Sequence, residues 1–322
     1  METRRKRRRR RRTGPVLLTI LFVAVALVAG YKCLVRPPET DVPSSDLEEE
    51  GSAQETTQRS GRKDYFYTIL VYGTDDDNGG SDTNILVGFD GKNGTVSCVS
   101  IPRDTAIHLN GKTPKFNYAF NSGGHEQAQE SAGDMLGIPV DFYVGVDLQA
   151  FVELVDAIGG VDFEVPIDMN YDDPYQDLSI HFSKGMQHLD GEDALKVVRF
   201  RHNNNGSGYG TEDIGRIGTQ QAFLKAVAQK MLQPGNLVKV GDYVKIFQQY
   251  VDTNLKLSDM AWFGEQLIGM GTGNVSFYTL PGAWSDSRNR YILDPDATLD
   301  MVNRCLNPYV TDRTAEDLDL VL

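Results

Sequence analysis

The run Pro15–Val35 constrains this chain more than any other stretch. It is almost wholly apolar, with Thr19 and Lys32 as its notable polar members, and nine of the first twelve residues are Lys or Arg. About 20 apolar residues suffice to cross a bilayer, so one transmembrane helix is expected at 14–35 behind a basic cytoplasmic tail at 1–13. A basic run before a span holds that end in the cytoplasm, which places everything after Val35 outside the cell. A cleaved signal peptide is the alternative, but it wants small residues after the apolar core, and the Ala-Val-Ala at 24–26 lies inside it. Cys33 follows Tyr31 and Lys32 rather than the small residues that lipidation requires. Residues 36–63 are rich in Pro, Ser, Glu and Gln, so they read as a disordered linker. As a flexible coil the linker would separate domain and membrane by roughly 25–30 Å.

Without residues 1–36 the chain carries 21 basic against 44 acidic residues, a formal charge near −23. Such a domain is unsuited to nucleic acid, and any anion site must concentrate its few basic residues locally. The three cysteines form neither a disulfide framework nor a zinc pattern. Cys98 and Cys305 read as packing residues, although an outside location permits a bridge if geometry allows. Trp262 and Trp284 also read as packing residues, and His202 as a solvated loop histidine.

From Asp64 to Leu322 strand and helix signals alternate. Strands are expected at 65–73, 84–90, 95–101, 141–146, 161–166, 178–182 and 275–280, from β-branched and aromatic runs between turn signals. Helices are expected at 124–136, 148–158, 191–198, 212–231, 236–250, 258–270 and 296–306. No repeat or boundary interrupts the pattern. The fold class is therefore α/β: a single ectodomain, 64–322, with a central mixed β-sheet flanked by helices.

Arg199 to Gln220 is the chemically loaded part of that domain. Arg199 and Arg201 sit two apart in an extended-looking run, so both guanidinium groups would leave one face of a strand. Asp213, Arg216 and Gln220 fall on one helical stripe that continues as Phe223, Leu224, Val227 and Met231, a core-facing seam. Arginines at the edge of a core are costly unless something anionic meets them. Two readings stand: an internal Arg–Asp network that fixes the fold, or a clamp whose planar forks match phosphate oxygens. Asp75 and Asp82 flank the loop after the first strand, and Arg103 and Asp104 end the third. Such edges are where α/β proteins place sites. The two aspartates have no His or Cys nearby, so they suit Mg²⁺ if they are ligands at all, and turn capping if they are not. Glu192 and Asp193 open a helix, where the dipole favours acids. No Walker loop, GxSxG or HExxH is present.

Eight segments in order resemble the LytR–CpsA–Psr family of bacterial cell-envelope proteins: ILVYGTD, SDTNILV, SIPRDT, KFNYAF, GIPVDFYVGVD, ELVDAIGGVDFEVP, HLDGEDALKVVRFRH and DIGRIGTQQAFLKA. The resemblance implies a membrane-anchored phosphotransferase. It would take an anionic glycan (teichoic acid, capsule or a similar polymer) from a polyprenyl-pyrophosphate carrier to a peptidoglycan sugar hydroxyl, forming a phosphodiester. It further implies an apolar groove for the lipid and Mg²⁺ on Asp75 and Asp82. Arg103, Arg199, Arg201 and Arg216 would clamp the pyrophosphate, with Asp213 and Gln220 in support. Asp82 or Asp104 would serve as general base. A pyrophosphatase and a non-catalytic regulator that binds polyprenyl phosphates are the rival functions. Two features depart from the family pattern. Gly79-Gly80 stand where the family places Arg before the Ser-Asp-Thr triplet, and the loop NNNGSGYG is long enough to read as a flap over the acceptor.

Overall fold

The computed structural model describes residues 35–40, 61–74, 81–175, 178–209, 212–270 and 272–322. The expected span at 14–35, most of the linker, and Asp75 lie outside the described residues, as do the side chains of Asp82 and Asp213. Among the described residues no helix is long and apolar enough to cross a membrane. Two compact units are distinguished. Of the described residues, the small one contains 35–39 and Lys256–Glu265. Within it Asp259 caps its own helix start by accepting from the Lys256 amide at 2.9 Å, and Trp262 and Phe263 pack edge to face with centroids 5.3 Å apart.

The large unit, Thr40–Leu255 with Gln266–Leu322, carries the fold. Its centre is a six-stranded mixed sheet built from β1 (Phe66–Thr74), β2 (Ser81–Asp90), β3 (Thr95–Ser100), β4 (Phe142–Val146), β9 (Val251–Thr253) and β10 (Val275–Thr279). Their order is β10-β3-β2-β1-β4-β9. β1, β2 and β3 form an antiparallel meander, β4 pairs parallel with β1, and β10 pairs parallel with β3. The ends of β1, β3, β4 and β10 and the start of β2 therefore share one edge, called the upper edge below. Around the sheet run α1 (Asn117–Leu136), α2 (Leu148–Ala157), α3 (Gly191–Arg199), α4 (Glu212–Met231), α5 (Pro234–Leu237), α6 (Val240–Tyr250) and α8 (Pro295–Met301), while most of α7 (Leu257–Met270) belongs to the small unit. Between α2 and α3 lie two hairpin-like pairs: β5 (Val161–Val165) with β8 (Gly185–Leu189), and β6 (Met169–Asp173) with β7 (Leu178–Phe182). A last hairpin joins β11 (Gly282–Ser285) to β12 (Arg290–Leu293).

Strand alternation assigns the two sheet faces. One face sends Leu70, Tyr72, Leu86, Val99 and Tyr143 into a core completed by Phe116, Met135 and Leu136 of the α1 region and by Val302 and Leu306 near the C-terminus. A second core gathers Val155 of α2, Val197 of α3, Phe223 and Val227 of α4, and residues of β5–β8. The opposite face of the sheet presents Tyr67, Ile69, Phe89 and Val96, which belong to neither core.

Several elements exceed what the sequence signals. α1 begins seven residues early, at Asn117, because Gly123 and Gly124 break its φ/ψ regularity without ending it. β6 and β8 escape detection because β6 exposes Asn170 and Asp172 while β8 exposes Met186 and His188 and carries Gln187 on its inner face, which hides the alternation. The expected helix at 236–250 is divided at Val238–Lys239, and the one at 296–306 passes into a π-turn at Val302. Trp284 is a correction: it is 47% exposed, with its indole N–H donated to Asp286 at 3.0 Å. Cys98 and Cys305 are both free thiols. Ordered structure reaches back at least to Gly61, whose carbonyl accepts from the Val310 amide at 3.0 Å. Arg62 beside it is buried in an ion pair with Asp141.

Candidate active site

The upper edge is built by strand geometry. β1 delivers the chain into the 75–80 loop, and β2 returns it from Ser81, with a register shift at Gly73/Thr74. Asp82 is thus the second residue of β2, not a loop residue. β3 ends at Ser100, and the Ile101 amide continues the ladder to the Asn84 carbonyl at 2.8 Å. Pro102 then turns the chain: the Thr105 amide bonds the Pro102 carbonyl at 2.9 Å and the Asn117 amide bonds the Arg103 carbonyl at 3.0 Å. Arg103 is therefore held by its backbone from both sides. Its guanidinium lies 3.7 Å from Asp104, which Lys115 also approaches at 3.1 Å. Asp104 is accordingly engaged with two cations, a poor setting for a general base.

From the other side comes α4. The stripe expected on this helix is observed: Arg216 is only 3% exposed, Phe223 and Val227 enter the second core, and Met231 packs against it. Gln220 donates its amide to the Val198 carbonyl at 3.1 Å, tying α4 to the last turn of α3 just before Arg199. Gln220 and Arg103 line one cavity of about 10 Å³ with Thr83, Asn84, Ser100 and Ile217. Such a void has room for about one water. The structure thus brings Arg103 and Gln220 together, and Arg216 stands one turn before Gln220.

The Arg pair requires a correction. Arg199 is the last residue of α3, not part of a strand, and the chain becomes extended only at Phe200 (φ −58°, ψ 133°). The helix runs this far because Asp190 caps it, accepting from the Asp193 amide at 2.9 Å, and Lys196 and Arg199 complement the dipole in its last turn. Phe200, 1% exposed, anchors the turn in the second core, so helix geometry and not strand alternation aims the two arginines. Arg201 faces the β6 region, where its positive charge partly offsets the upward push of burial and Asp173 on the Tyr171 phenol. The flap expectation also fails at Asn203 and Asn204. Their side chains accept from the Asn170 and Asp172 amides at 2.6 and 2.7 Å, which stitches the loop onto the edge of β6. His202, immediately before this loop, bridges to Gly208 and meets Tyr171 edge on.

Whether an oxygen-liganded cation fits can be judged from the residues around Asp82. Among the described residues, Ser81 Oγ and Asn84 Oδ1 are buried and find no hydrogen-bond partner. Buried polar atoms of this kind normally find a partner, and hard oxygen donors beside an aspartate suit Mg²⁺. Among the described residues no group of three or more His, Cys, Asp or Glu forms a metal cluster.

Sequence reasoning missed Gln221. Its amide reaches Ser100 Oγ at 2.9 Å, the Tyr278 carbonyl at 2.8 Å and Thr279 Oγ1 at 3.2 Å, hooking α4 onto the ends of β3 and β10. The available signal was its position four residues after buried Ile217, on the sheet-facing side of the helix.

Residues 39–305 match the LytR_cpsA_psr family. The chain is 31% identical over 253 residues to a polyisoprenyl-teichoic acid–peptidoglycan teichoic acid transferase, TagV, of Bacillus subtilis, covering 76% of this chain and 63% of that protein. A TagU transferase of Bacillus cereus is 33% identical over 198 residues, covering 60% of this chain and 62% of the relative. The match therefore spans just under two thirds of these relatives' lengths. The crystal structure of B. subtilis TagV superposes with a TM-score of 0.62 at 30% identity, over 80% of this chain and 98% of that one.

Proposed function

The chain belongs to the LytR–CpsA–Psr family, and from that premise we propose that it transfers an anionic cell-wall glycan from a polyprenyl-pyrophosphate carrier to peptidoglycan. The observation that carries this reading is the convergence of Arg103, Gln220 and the turn bearing Arg216 on the sheet edge where β2 presents Asp82. The teichoic acid transferases to which the chain is similar supply the substrate class.

Arg103, Arg199, Arg201 and Arg216 hold the pyrophosphate. Planar, permanently charged forks suit phosphate oxygens, and buried Arg216 does so where water screens least. Asp213 and Gln220 orient this set, Gln220 by fixing the end of α3. The polyprenyl chain would need an apolar groove beside this edge; Tyr67, Ile69, Phe89 and Val96 on the sheet face away from the first core are themselves buried. Asp75 and Asp82 would hold Mg²⁺, with Ser81 and Asn84 supplying nearby oxygens. The ion would neutralise pyrophosphate charge. A peptidoglycan sugar hydroxyl attacks the glycan-side phosphorus. The new P–O bond forms as the P–O bond to the lipid phosphate breaks, and the departing lipid phosphate takes up the hydroxyl proton. A helix at 14–35 with the linker at 36–63 would keep this chemistry outside the cell and close to the bilayer.

The test is in vitro transfer by the full-length protein in detergent, with a short-chain polyprenyl-pyrophosphate saccharide, uncrosslinked peptidoglycan and Mg²⁺. Mass spectrometry should find a glycan–phosphate–peptidoglycan adduct that disappears with chelator and with Asp82→Ala. Arg103→Ala should cost about 10²–10³-fold in rate, as for other lost transition-state donors. Free glycan phosphate without adduct would make the protein a pyrophosphatase. Tight carrier binding without any product would make it a non-catalytic receptor.

A further inference from the structure

On the Tyr72 side of the sheet, the upper edge holds an open cleft of about 400 Å³ that the proposed phosphoryl chemistry does not use. Its walls are Tyr72 at the end of β1, Phe120 of α1, Asp147 and the segment Gln249–Asp252. We infer that this cleft seats the acceptor saccharide, an uncharged or weakly charged glycan whose hydroxyl is delivered to the phosphorus. The inference rests on the transferase reading above and deepens it.

The lining has the chemistry of a sugar site. Half-buried Phe120 and Tyr250 offer ring surface for the C–H face of a pyranose, with buried Tyr72 backing them, while Gln249 and Asp252 offer an amide and a carboxylate for its hydroxyls. The aromatic wall is held in place. Tyr72 and Phe120 have centroids 5.0 Å apart, and Tyr143 stacks behind Tyr72 at 6.3 Å. Gly145 makes room for the Tyr72 ring, since a Cβ there would lie 2.5 Å from its hydroxyl oxygen. Asp252 is fixed in turn by the Tyr143 hydroxyl at 3.3 Å and by His125, 3.5 Å away. Burial, then the charge of Asp252, pushes the Tyr72 phenol upward, so it stays a neutral donor at any physiological pH.

Charge decides between acceptor and donor glycan. The lining contains Asp147 and Asp252 and no Lys or Arg, so a polyanionic donor polymer would be repelled while a neutral glycan would not. Position agrees. Tyr72 is three residues before Asp75 and lies in register with Asn84 on β2. The helix α4, which bears Arg216, is hooked to Ser100, whose side chain alternates to the sheet face opposite that of Val99 and Tyr72. In-line displacement needs attacking and leaving oxygens on opposite sides of phosphorus, and a cleft on the Tyr72 face approaches the edge from the side away from that helix.

The experiment uses full-length protein in detergent micelles and an uncharged β-1,4-linked N-acetylglucosamine tetrasaccharide, titrated calorimetrically and followed by saturation-transfer NMR. Tyr250→Ala and Asp252→Asn should each weaken tetrasaccharide binding at least tenfold and raise the acceptor KM similarly. Gln249→Ala, on an exposed residue that leaves the aromatic wall untouched, should give a smaller loss. Binding of a fluorescent polyprenyl pyrophosphate should be unchanged in all three. Undiminished tetrasaccharide binding in Tyr250→Ala and Asp252→Asn overturns the inference, and so does a selective loss of affinity for the carrier-linked glycan. The transferase reading fails separately, if the wild-type protein yields no glycan–phosphate–peptidoglycan adduct while it still binds the tetrasaccharide.

Discussion

Gln221 is where the fold and the proposed chemistry can be separated by one substitution. Its single amide group has two hydrogens and three acceptors, at 2.8, 2.9 and 3.2 Å, so two bonds form at a time. Gln221→Met keeps the side-chain volume and removes both donors. At a net ~1 kcal/mol per bond, the loss is about 2 kcal/mol. For a domain this size that corresponds to a fall in melting temperature of roughly 4–8 °C. The larger effect should be on turnover. Gln221 joins the helix bearing Arg216 and Gln220 to the strand end from which Arg103 departs, and misplacing catalytic groups by about 1 Å can cost ~10²-fold. The expected result is a kcat reduced ten- to a hundredfold with carrier affinity nearly unchanged, because the arginines remain present but mis-set. Differential scanning fluorimetry and the adduct assay read the two effects independently. A variant destabilised by about 2 kcal/mol that turns over like wild type would refute the positioning role and leave Gln221 as a structural tie alone.

Three further outcomes follow from the same contacts. Asp141→Ala leaves Arg62 buried and uncompensated, and it strips an acceptor from the Thr68 amide at 2.8 Å. It should cost about 3–5 kcal/mol in urea unfolding, and an unchanged midpoint would contradict the pairing. Burial pushes the Cys98 thiol up to about 12. The native thiol should therefore resist Ellman's reagent at pH 8 and react once unfolded; above about pH 9 the unfolded thiol ionises while the native one does not, so stability should fall as pH rises through that window. In Cys98→Ala that share of the slope should vanish. Gly88→Ala would set a Cβ 2.1 Å from the Cys305 carbonyl oxygen, a backbone atom. The β2 centre cannot yield to it, and the variant should be recovered largely as insoluble protein, whereas Gly111→Ala, with open space but positive φ, should lose only about 1 kcal/mol.

The strands of the meander were legible because they are buried on both faces and read as unbroken apolar runs: Tyr67 through Tyr72 is one. The α4 stripe was legible because a polar start and an apolar finish share one helical period, and Arg216 is buried where that period places it. Arg199 was misread because an Arg-x-Arg spacing says nothing about which residue ends a helix. The Asp190 cap and the burial of Phe200 decide that, and only the second core reveals the latter. β6, the partner of the expected strand at 178–182, was hidden for the reverse reason. Its outward residues are polar and its partner for Asn203 and Asn204 lies 32 or more residues away, so no local pattern announces it. Gln221 and the Tyr72 cleft share this character, since each is assembled from segments remote in sequence.

That division explains why the substrate side of the site is harder to read than the phosphate side. A phosphate clamp needs permanent charge, and Arg is conspicuous in a domain with 21 basic residues against 44 acidic ones. Recognition of a neutral glycan needs ring faces and a few carboxylates, which are common everywhere and become a site only by juxtaposition. Tyr72 reaches Asp252 solely because β9 is laid antiparallel on β4 at the end of the sheet, 180 residues downstream. A sheet one strand narrower on the β9 side would keep the arginine clamp and lose the cleft, so the transferase proposal and the acceptor proposal depend on different parts of the chain.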